Sequence, residues 1–543
     1  MTDCKARAVA RERLVRLAIP CLSALVMVAP PSAADVPVSR VHVARASTAS
    51  HALQETRTRT PVKKKKPSAR MRRTSARVAR KPAGPTWSAP RGAEALAEAV
   101  GSALASHTRR GEWGAIIVSL TRGDTLFAQN ADAMMQPAST MKMYTSAVAL
   151  DRFGPDYTFR TPALRDGQLG GDGTLNGNLY LRGVGDPSLS SRFWHDENPM
   201  DVLAKQISDA GVKRVHGDIV GDATAFDDKL VPDGWKTSYL GAAYAARVSA
   251  LSLNENVVWV VVQPGGKKAI VSLEPASTAI EVENSVRLTG GSGGSISASR
   301  RPDGTISVRG SIGANSAPRK YSLVVDNPPL FAAGALRASL QKLGISVDGP
   351  TRLAAVPSTA TEIAAVASPP LAQIIGEMDR ESINVVAELL FRAAARSPNQ
   401  IGSAETGLAN LRAFLTKKVG APANVVDVAD GSGLSQLDRV TPRSMVELLG
   451  FAHQADWGPV FHAALPVDGE SGTLKRRAKG TPARGNLHAK TGTTNTVAAL
   501  GGYVTAKDGE VLAFSLVYNG TDRGNAKAAM DQIGATMAEF ARN

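Results

Sequence analysis

Three short segments that carry hydroxyl and lysine side chains are separated by very unequal lengths of chain. They are Ser139-Thr140-Met141-Lys142, Ser382-Ile383-Asn384 and Lys490-Thr491-Gly492. From Lys142 to Ser382 is 240 residues, whereas Asn384 and Lys490 are 106 residues apart. A structureless loop of 240 residues is implausible inside a compact domain. If the three segments serve one site, at least one folded domain is inserted between the first and the second.

The first segment is typical of a nucleophile beside a base. Pro137 precedes it, as expected near a helix start, and the apolar run from Met143 to Phe153 continues the helix. Residues three apart share one helix face, so Lys142 can reach the hydroxyl of Ser139. That hydroxyl needs an adjacent base, and a buried lysine beside other cations can have a low enough pKa. Taken alone, the pattern more often marks an ordinary helix start.

The other two segments are typical of substrate contacts. Lys490, Thr491 and Gly492, followed by Thr493, begin a predicted strand. The lysine and the threonine hydroxyls there can bind a carboxylate, and Gly492 permits a close approach of a substrate backbone. Residues 382–384 lie between two predicted helices, at 371–378 and 385–395.

Periodicity predicts an α+β fold in which both chain ends build one antiparallel sheet, with terminal helices packed on it. The predicted terminal helices cover 93–107 and about 525–541. The predicted strands are 113–120, 125–128, 488–491, 497–505 and 510–518. Residues 163–360 are strand-rich and interrupted by Gly and Pro, with helical stretches near 199–210 and 329–343.

The net charge of +16 belongs to the N-terminal region. Residues 1–90 hold 19 Lys/Arg and 4 Asp/Glu, whereas residues 91–543 hold 45 and 44. Residues 1–34 combine basic residues, an apolar stretch and Ser32-Ala33-Ala34, which predicts an export signal. Retention as a membrane anchor is less favoured, because prolines leave fewer than about 20 uninterrupted apolar residues. Both cysteines, Cys4 and Cys21, lie in this segment, so the cleaved protein would have no disulfide.

Residues 35–91 are predicted to form a disordered basic linker. The segment has almost no large apolar residues whose burial could offset the entropy of ordering. Its charge favours either attraction to an anionic envelope surface or a solvated spacer. Export argues against nucleic acid as its partner.

The order S-x-x-K, S-x-N, K-T-G matches that of penicillin-interacting serine enzymes. Over about residues 92–543 the chain resembles the low-molecular-mass class C penicillin-binding proteins, which are D-alanyl-D-alanine carboxypeptidases and endopeptidases. Ile383 departs from the family pattern, which often has Asp there. The segments that carry the resemblance beyond the three motifs are Gly185-Asp186-Pro187-Ser188-Leu189, Gly217-Asp218, 249–256, 430–435, Gly472-Thr473-Leu474 and His488-Ala489.

The resemblance implies a β-lactamase/transpeptidase-like domain, an antiparallel sheet flanked by helices, which is split by inserted, strand-rich domains. Its first part would be residues 92–162 and its second part residues 361–543. The inserted residues 163–360 would contain a second domain with a smaller all-β domain near 258–325.

The resemblance also implies acyl transfer through a serine ester. Ser139 would attack the carbonyl between two D-alanines while Lys142 takes its proton. The backbone N–H groups of Ser139 and Thr493 would form the oxyanion hole. Ser382 would relay a proton to the leaving amine, and Asn384 would hold the amide on the acyl side.

Lys490, Thr491 and Thr493 would bind the terminal carboxylate, with Gly492 between them. The implied substrates are peptidoglycan stem peptides in the periplasm, and β-lactams would be covalent inhibitors. No metal or organic cofactor is implied. The alternatives are a serine β-lactamase and a non-catalytic protein that binds cell wall or polyanions through its basic tail.

Two further features need a structural answer. His488 lies two residues before Lys490, so on a strand it shares that face and could line the site. Residues 290–294 fit G-x-S-x-G, but no strand–turn–helix context surrounds them, which favours a loop.

Overall fold

The computed structural model describes residues 87–195 and 197–543. The predicted export signal and residues 35–86 of the predicted linker lie outside the described residues. The helices, numbered in chain order, are α1 (Ala93–His107), α2 (Met141–Phe153), α3 (Ser191–Trp194), α4 (Pro199–Asp209), α5 (Pro328–Lys342), α6 (Leu371–Glu381), α7 (Asn384–Ala395), α8 (Ala404–Phe414), α9 (Pro442–Gln454), α10 (Gly458–Ala464) and α11 (Arg523–Glu539).

The strands are likewise numbered along the chain. They are β1 (Glu112–Ser119), β2 (Thr125–Gln129), β3 (Arg160–Arg165), β4 (Gln168–Leu169), β5 (Thr174–Asn176), β6 (Leu179–Arg182), β7 (Arg214–Val215), β8 (Ile219–Asp222), β9 (Val257–Gly265), β10 (Lys268–Glu274), β11 (Val282–Thr289), β12 (Ile296–Arg300), β13 (Ile306–Gly313), β14 (Arg319–Val324), β15 (Ser346–Val347), β16 (Thr351–Leu353), β17 (Thr361–Ala367), β18 (Val426–Asp427), β19 (Arg439–Val440), β20 (His488–Thr493), β21 (Val497–Thr505) and β22 (Val511–Asn519).

Strands from the two ends of the described chain form one antiparallel sheet in the order β2-β1-β22-β21-β20. The register places Trp113 opposite Tyr518 and Lys490 opposite Gly501. Helices α1 and α11 bury their apolar residues in a core shared with this sheet. The predicted α+β fold is confirmed. Strand β20, which carries the K-T-G segment, lies at the edge of the sheet and so has one side of its backbone unpaired within it.

A second core contains α2, α6 to α10 and the residues that connect them. All 12 residues of α7 are buried, as expected of a helix packed on every side. Its two charged residues, Glu388 and Arg392, form an ion pair of 2.6 Å inside this core. Burial of α7 fixes the position of Asn384 at its start.

The residues between α2 and α6 form their own sheets and a further core. One sheet has the order β16-β8-β6-β3-β17, and residues 257–324 form two three-stranded sheets, β10-β9-β14 and β11-β13-β12. Strand β17 pairs with β3, so residues 361–367 lie with the inserted strands, beyond the boundary predicted at residue 361. Residues 290–295 form the loop between β11 and β12.

Part of the inserted chain returns to the helical core. Phe226, Trp235 and Tyr239 are buried in the same cluster as α2, α6 and α7. The insertion therefore supports the helices that carry two of the three motifs.

The globular fold begins slightly before the predicted residue 92. The backbone N–H of Ser88 donates to Thr536 Oγ1, and Arg91 donates to the carbonyl oxygen of Asn543 at 2.7 Å. Within the residues that the structure describes, no helix is both long enough and apolar enough to cross a bilayer.

Candidate active site

Ser139 lies in a tight turn, Ala138–Thr140, that leads into α2. Ala138 has a φ of 47°, a left-handed conformation that costs a non-glycine residue about 1–3 kcal/mol. Two glycines pack on this turn without room for a side chain. A Cβ on Gly433 would lie 1.8 Å from the carbonyl oxygen of Ala138, and one on Gly492 would lie 2.7 Å from that of Pro137. The turn that carries Ser139 is thus held by close backbone packing from two other segments.

Lys142 lies one helical turn from Ser139 and uses all three of its N–H donors. Its Nζ donates to Ser139 Oγ at 3.1 Å, to Asn384 Oδ1 at 2.6 Å and to the carbonyl oxygen of Ser432 at 2.7 Å. The side chain is fully buried. Burial lowers the pKa of Lys142 to about 8, although the carboxylates of Asp430 and Glu388 favour its charged form. A fraction of the amine is therefore neutral near pH 7 and can accept the proton of Ser139.

Ser382 ends α6 in a left-handed conformation, with φ 59° and ψ 48°. Its Oγ accepts a hydrogen bond of 2.8 Å from Nζ of Lys490, which also donates to the carbonyl oxygen of Thr491 at 3.1 Å. Burial, followed by the charge of Lys142, lowers the pKa of Lys490 well below its usual value. The Lys490 side chain is fully buried, and its ammonium group donates a hydrogen bond to Ser382.

A carboxylate that sequence reasoning missed accompanies the two lysines. Asp379 on α6 is fully buried and accepts a hydrogen bond of 2.6 Å from Ser146 Oγ. Burial raises its pKa, although the charge of Lys490 opposes this. The signal was present in the sequence, because Asp379 continues the apolar stripe of Leu371, Ile375 and Met378 at helical spacing.

Asn384 connects the site to the inserted chain. Its Oδ1 accepts from Lys142, and its Nδ2 donates to the carbonyl oxygen of Tyr244 at 2.7 Å. Nδ2 carries two hydrogens, so one is left for a ligand.

The carboxylate of Asp430 organises the loop that touches Lys142. It accepts hydrogen bonds from the backbone N–H groups of Ser432, Gly433 and Ser435 and from Nε1 of Trp235, at 2.6–2.9 Å. These bonds aim the carbonyl oxygen of Ser432 at Lys142. In the sequence, this segment stood out only because it carries part of the family resemblance.

A cavity of about 240 Å³ adjoins Ser139. Its lining comprises Ser139, Ser382, Thr473, Arg477, Thr491, Thr493 and Lys527. Four of the predicted site residues, Ser139, Ser382, Thr491 and Thr493, therefore face one cavity. Lys142, Asn384 and Lys490 are buried: Lys142 is hydrogen-bonded to Ser139 and Asn384, and Lys490 is hydrogen-bonded to Ser382. Gly492 packs on the turn that carries Ser139. Thr473, Arg477 and Lys527 were not predicted as site residues. Thr473 belongs to a segment that carries the resemblance, and its Oγ1 accepts from Thr491 at 2.7 Å.

His488 does not line this cavity. Its ring lies 4.3 Å from that of His462, and it borders a separate cavity with His453 and His462. Residues two apart on a strand share a face but are separated by about 7 Å, which is enough to place His488 against α10. Among the described residues, no cluster of three or more His, Cys, Asp and Glu could hold a metal ion.

Comparison with known proteins identifies a family and relatives that are described as D-Ala-D-Ala carboxypeptidases. Residues 96–540 match the D-Ala-D-Ala carboxypeptidase 3 (S13) family. The D-alanyl-D-alanine carboxypeptidase of Actinomadura sp. (strain R39) is 35% identical over 448 residues, which are 79% of this chain and 81% of that protein. The D-alanyl-D-alanine carboxypeptidase DacB of Haemophilus influenzae is 26% identical over 438 residues, 79% of this chain and 89% of that protein.

Solved structures show the same fold. Penicillin binding protein 4 (dacB) from Haemophilus influenzae superposes with a TM-score of 0.68 at 24% identity, over 80% of this chain and 97% of that one. The same protein complexed with a β-lactam gives a TM-score of 0.61 over the same shares of the two chains.

Proposed function

The chain belongs to the D-Ala-D-Ala carboxypeptidase S13 family and is a serine D,D-peptidase, and from this premise we propose that Ser139 is its nucleophile and Lys142 its general base. The observation that carries the assignment is the 3.1 Å separation of Lys142 Nζ from Ser139 Oγ. Ser139 Oγ attacks the carbonyl carbon between two D-alanines as its proton passes to neutral Lys142. The carbonyl oxygen takes up the negative charge of the tetrahedral intermediate.

That charge needs donors that are already in place. The backbone N–H groups of Ser139 and Thr493 serve as the oxyanion hole. Close packing of Gly492 on the carbonyl oxygen of Pro137 supports this assignment, because it brings the end of β20 beside the nucleophile turn.

Collapse of the intermediate breaks the C–N bond, and the leaving amine must gain a proton. Ser382 gives its hydroxyl proton to that amine and is reprotonated by Lys490, to which it is hydrogen-bonded. The remaining N–H of Asn384 binds the amide on the acyl side. Lys142 then loses the proton that it took from Ser139 to solvent, and Lys490 regains its proton from solvent. Neutral Lys142 accepts a proton from the water that attacks the ester carbon. It returns this proton to Ser139 Oγ as the C–O ester bond breaks, which releases the peptide and restores Ser139.

The substrates are stem peptides of peptidoglycan, cleaved as a carboxypeptidase, an endopeptidase or both, after export to the periplasm. The relatives are D-alanyl-D-alanine carboxypeptidases, which supports this class of substrate. β-Lactams act as substrate mimics that remain on Ser139 as a slow ester. The β-lactam complex of the Haemophilus influenzae protein supports this proposal.

Labelling with a fluorescent penicillin tests the proposal. The wild-type protein is expected to carry one covalent label that survives denaturation, and the Ser139→Ala variant none. The control is Ser191→Ala, which should be labelled like the wild type. Ser191 lies at the start of α3 and does not line the cavity. A labelled Ser139→Ala variant, or an unlabelled wild type, would contradict the assignment.

A further inference from the structure

Two cations that lie outside all three motifs face the cavity of the nucleophile. Arg477 follows the turn Gly472–Leu474 by three residues, and Lys527 lies near the start of α11. The motif lysines, Lys142 and Lys490, are instead fully buried. Lys142 donates to three protein oxygens, and Lys490 donates to Ser382 Oγ and to the carbonyl oxygen of Thr491. The positive charge that a ligand in this cavity would meet therefore comes from Arg477 and Lys527.

The surroundings of Lys527 contain more positive than negative charge. Arg477 is held by Asp531 through Nε at 2.7 Å and donates to the carbonyl oxygen of Lys527 at 3.2 Å. Arg523, on the same helix, donates to the carbonyl oxygen of Thr494 at 2.6 Å. Asp531 is thus paired with Arg477.

The ammonium group of Lys527 makes no hydrogen bond or ion pair with any residue that the structure describes. The side chain is only half-buried, yet its pKa is lowered, first by burial and then by the charges of Arg477 and Arg523, which outweigh the opposite effect of Asp531. A ligand carboxylate in the cavity would supply the missing negative charge.

We propose that Lys527, supported by Arg477, binds the free carboxylate of the residue that leaves when Ser139 attacks the peptide. The inference rests on the proposed function and adds a specificity determinant to it. The resemblance assigned this contact to Lys490 together with Thr491 and Thr493. Thr493 retains it, since it lines the same cavity as Lys527, whereas buried Lys490 contacts Ser382. Thr491 lines the cavity too, but its only hydroxyl hydrogen is donated to Thr473.

Thr473 completes the anion site. Because its Oγ1 accepts a hydrogen bond from the hydroxyl of Thr491, its own hydroxyl hydrogen is free to donate to a carboxylate oxygen. Charge-assisted hydrogen bonds of this kind are roughly twice as strong as neutral ones, so the site favours substrates whose leaving residue ends in a carboxylate.

A pair of substrates isolates this contact. One is an N-acylated D-alanyl-D-alanine peptide and the other is the same peptide with a C-terminal carboxamide, and kcat and KM are measured by release of D-alanine or D-alaninamide. We expect Lys527→Met to lower kcat/KM for the carboxylate peptide by about 10- to 100-fold, mainly through KM. Hydrolysis of the carboxamide should change by less than about twofold, and Lys527→Arg should retain most of the preference for the carboxylate.

The matched control is Lys475→Met, which removes the same charge from an exposed lysine that does not line the cavity. It should leave both substrates unaffected. Equal losses on both substrates in Lys527→Met, or an unchanged preference for the carboxylate, would overturn the proposal. Failure of the proposed function would look different, because the wild-type protein would then neither take a penicillin label nor cleave either peptide.

Discussion

Lys142 and Lys490 are both fully buried, but they have different proposed roles because they contact different hydroxyl groups. Lys142 is one helical turn from Ser139 and has the carbonyl oxygen of Ser432 and Asn384 as its other acceptors. Lys490 lies on β20 and donates to Ser382. Burial lowers the pKa of both, but a neutral amine can remove a proton only from a hydroxyl that it touches. The proposed nucleophile, Ser139, and the proposed proton relay, Ser382, therefore each contact a different lysine.

The pH dependence of acylation tests the state of Lys142. Because the amine must be neutral, we expect the second-order rate constant for penicillin acylation to rise with pH through about 8. The carboxylate of Asp379 favours the charged form of Lys142, so Asp379→Asn should lower the pKa of Lys142. The rise of the acylation rate constant should then occur at lower pH. The measurement is the acylation rate between about pH 5.5 and 9.5.

The control for that profile is Asp132→Asn, which removes an exposed carboxylate paired with Arg443. It should leave the profile unchanged. A rise at unchanged or higher pH in Asp379→Asn would refute the electrostatic role given to this carboxylate.

At the scale of elements, the nucleophile depends on a turn, a loop and a strand edge that meet. The turn Ala138–Thr140 is left-handed at its first residue, the loop organised by Asp430 presents Gly433, and β20 presents Gly492. Gly433 itself has a φ of +79°, which favours glycine. Backbone contact this close leaves no space for a methyl group.

Gly433→Ala should therefore destabilise the protein by at least about 2 kcal/mol and strongly reduce acylation. The added Cβ has to displace backbone atoms of Ala138 rather than a flexible side chain. Chemical denaturation and the penicillin acylation rate measure the two effects.

Gly123→Ala is the control, since Gly123 has a φ of +80° but no neighbouring atom within 4 Å of the added Cβ. It should cost only about 1–2 kcal/mol for its backbone conformation and leave acylation intact. If the two variants behave alike, packing on the nucleophile turn does not matter.

Elements with strong periodicity were predicted closely from sequence. The helix Ala93–His107 and the strand Val497–Thr505 have the predicted bounds, and α11 differs from its prediction by two residues at each end. Helix α6 was predicted to end at Met378 but continues to Glu381. Of the added residues Asp379 is buried at the site, so a tertiary contact rather than an apolar side chain holds this last turn, whereas Glu381 is exposed.

At the scale of the whole molecule, the inserted chain contributes to the site as well as separating its motifs. Tyr244 supplies a carbonyl oxygen to Asn384, and Trp235 donates to Asp430. The residues of the first contact are 140 positions apart in the sequence, and those of the second are 195 positions apart. No local pattern in the sequence indicates them.

The basic tail is expected to act independently of the fold. Residues 35–86 carry 14 Lys/Arg and 2 Asp/Glu. A chain beginning at residue 87 should be acylated by penicillin within about twofold of a chain beginning at residue 35, but should lose binding to phosphatidylglycerol vesicles. Binding of the longer chain should weaken as salt is added, because exposed charges are screened.

Phosphatidylcholine vesicles are the control for that experiment and should bind neither chain. Loss of acylation in the shorter chain would show that the tail belongs to the fold. Binding that does not respond to salt would exclude an electrostatic attraction.

The sequence by itself determined the sheet built from both chain ends, the need for an insertion and the identity of the hydroxyl and lysine groups. Hydrophobic periodicity is a property of short segments, and motif spacing is a count along the chain, so both can be read without a structure. Only the tertiary structure decided which lysines are buried, that Asp379 accompanies them, and that Arg477 and Lys527 face the cavity. Burial and electrostatic environment arise from contacts between distant segments, such as that of Lys142 with Ser432, 290 residues away.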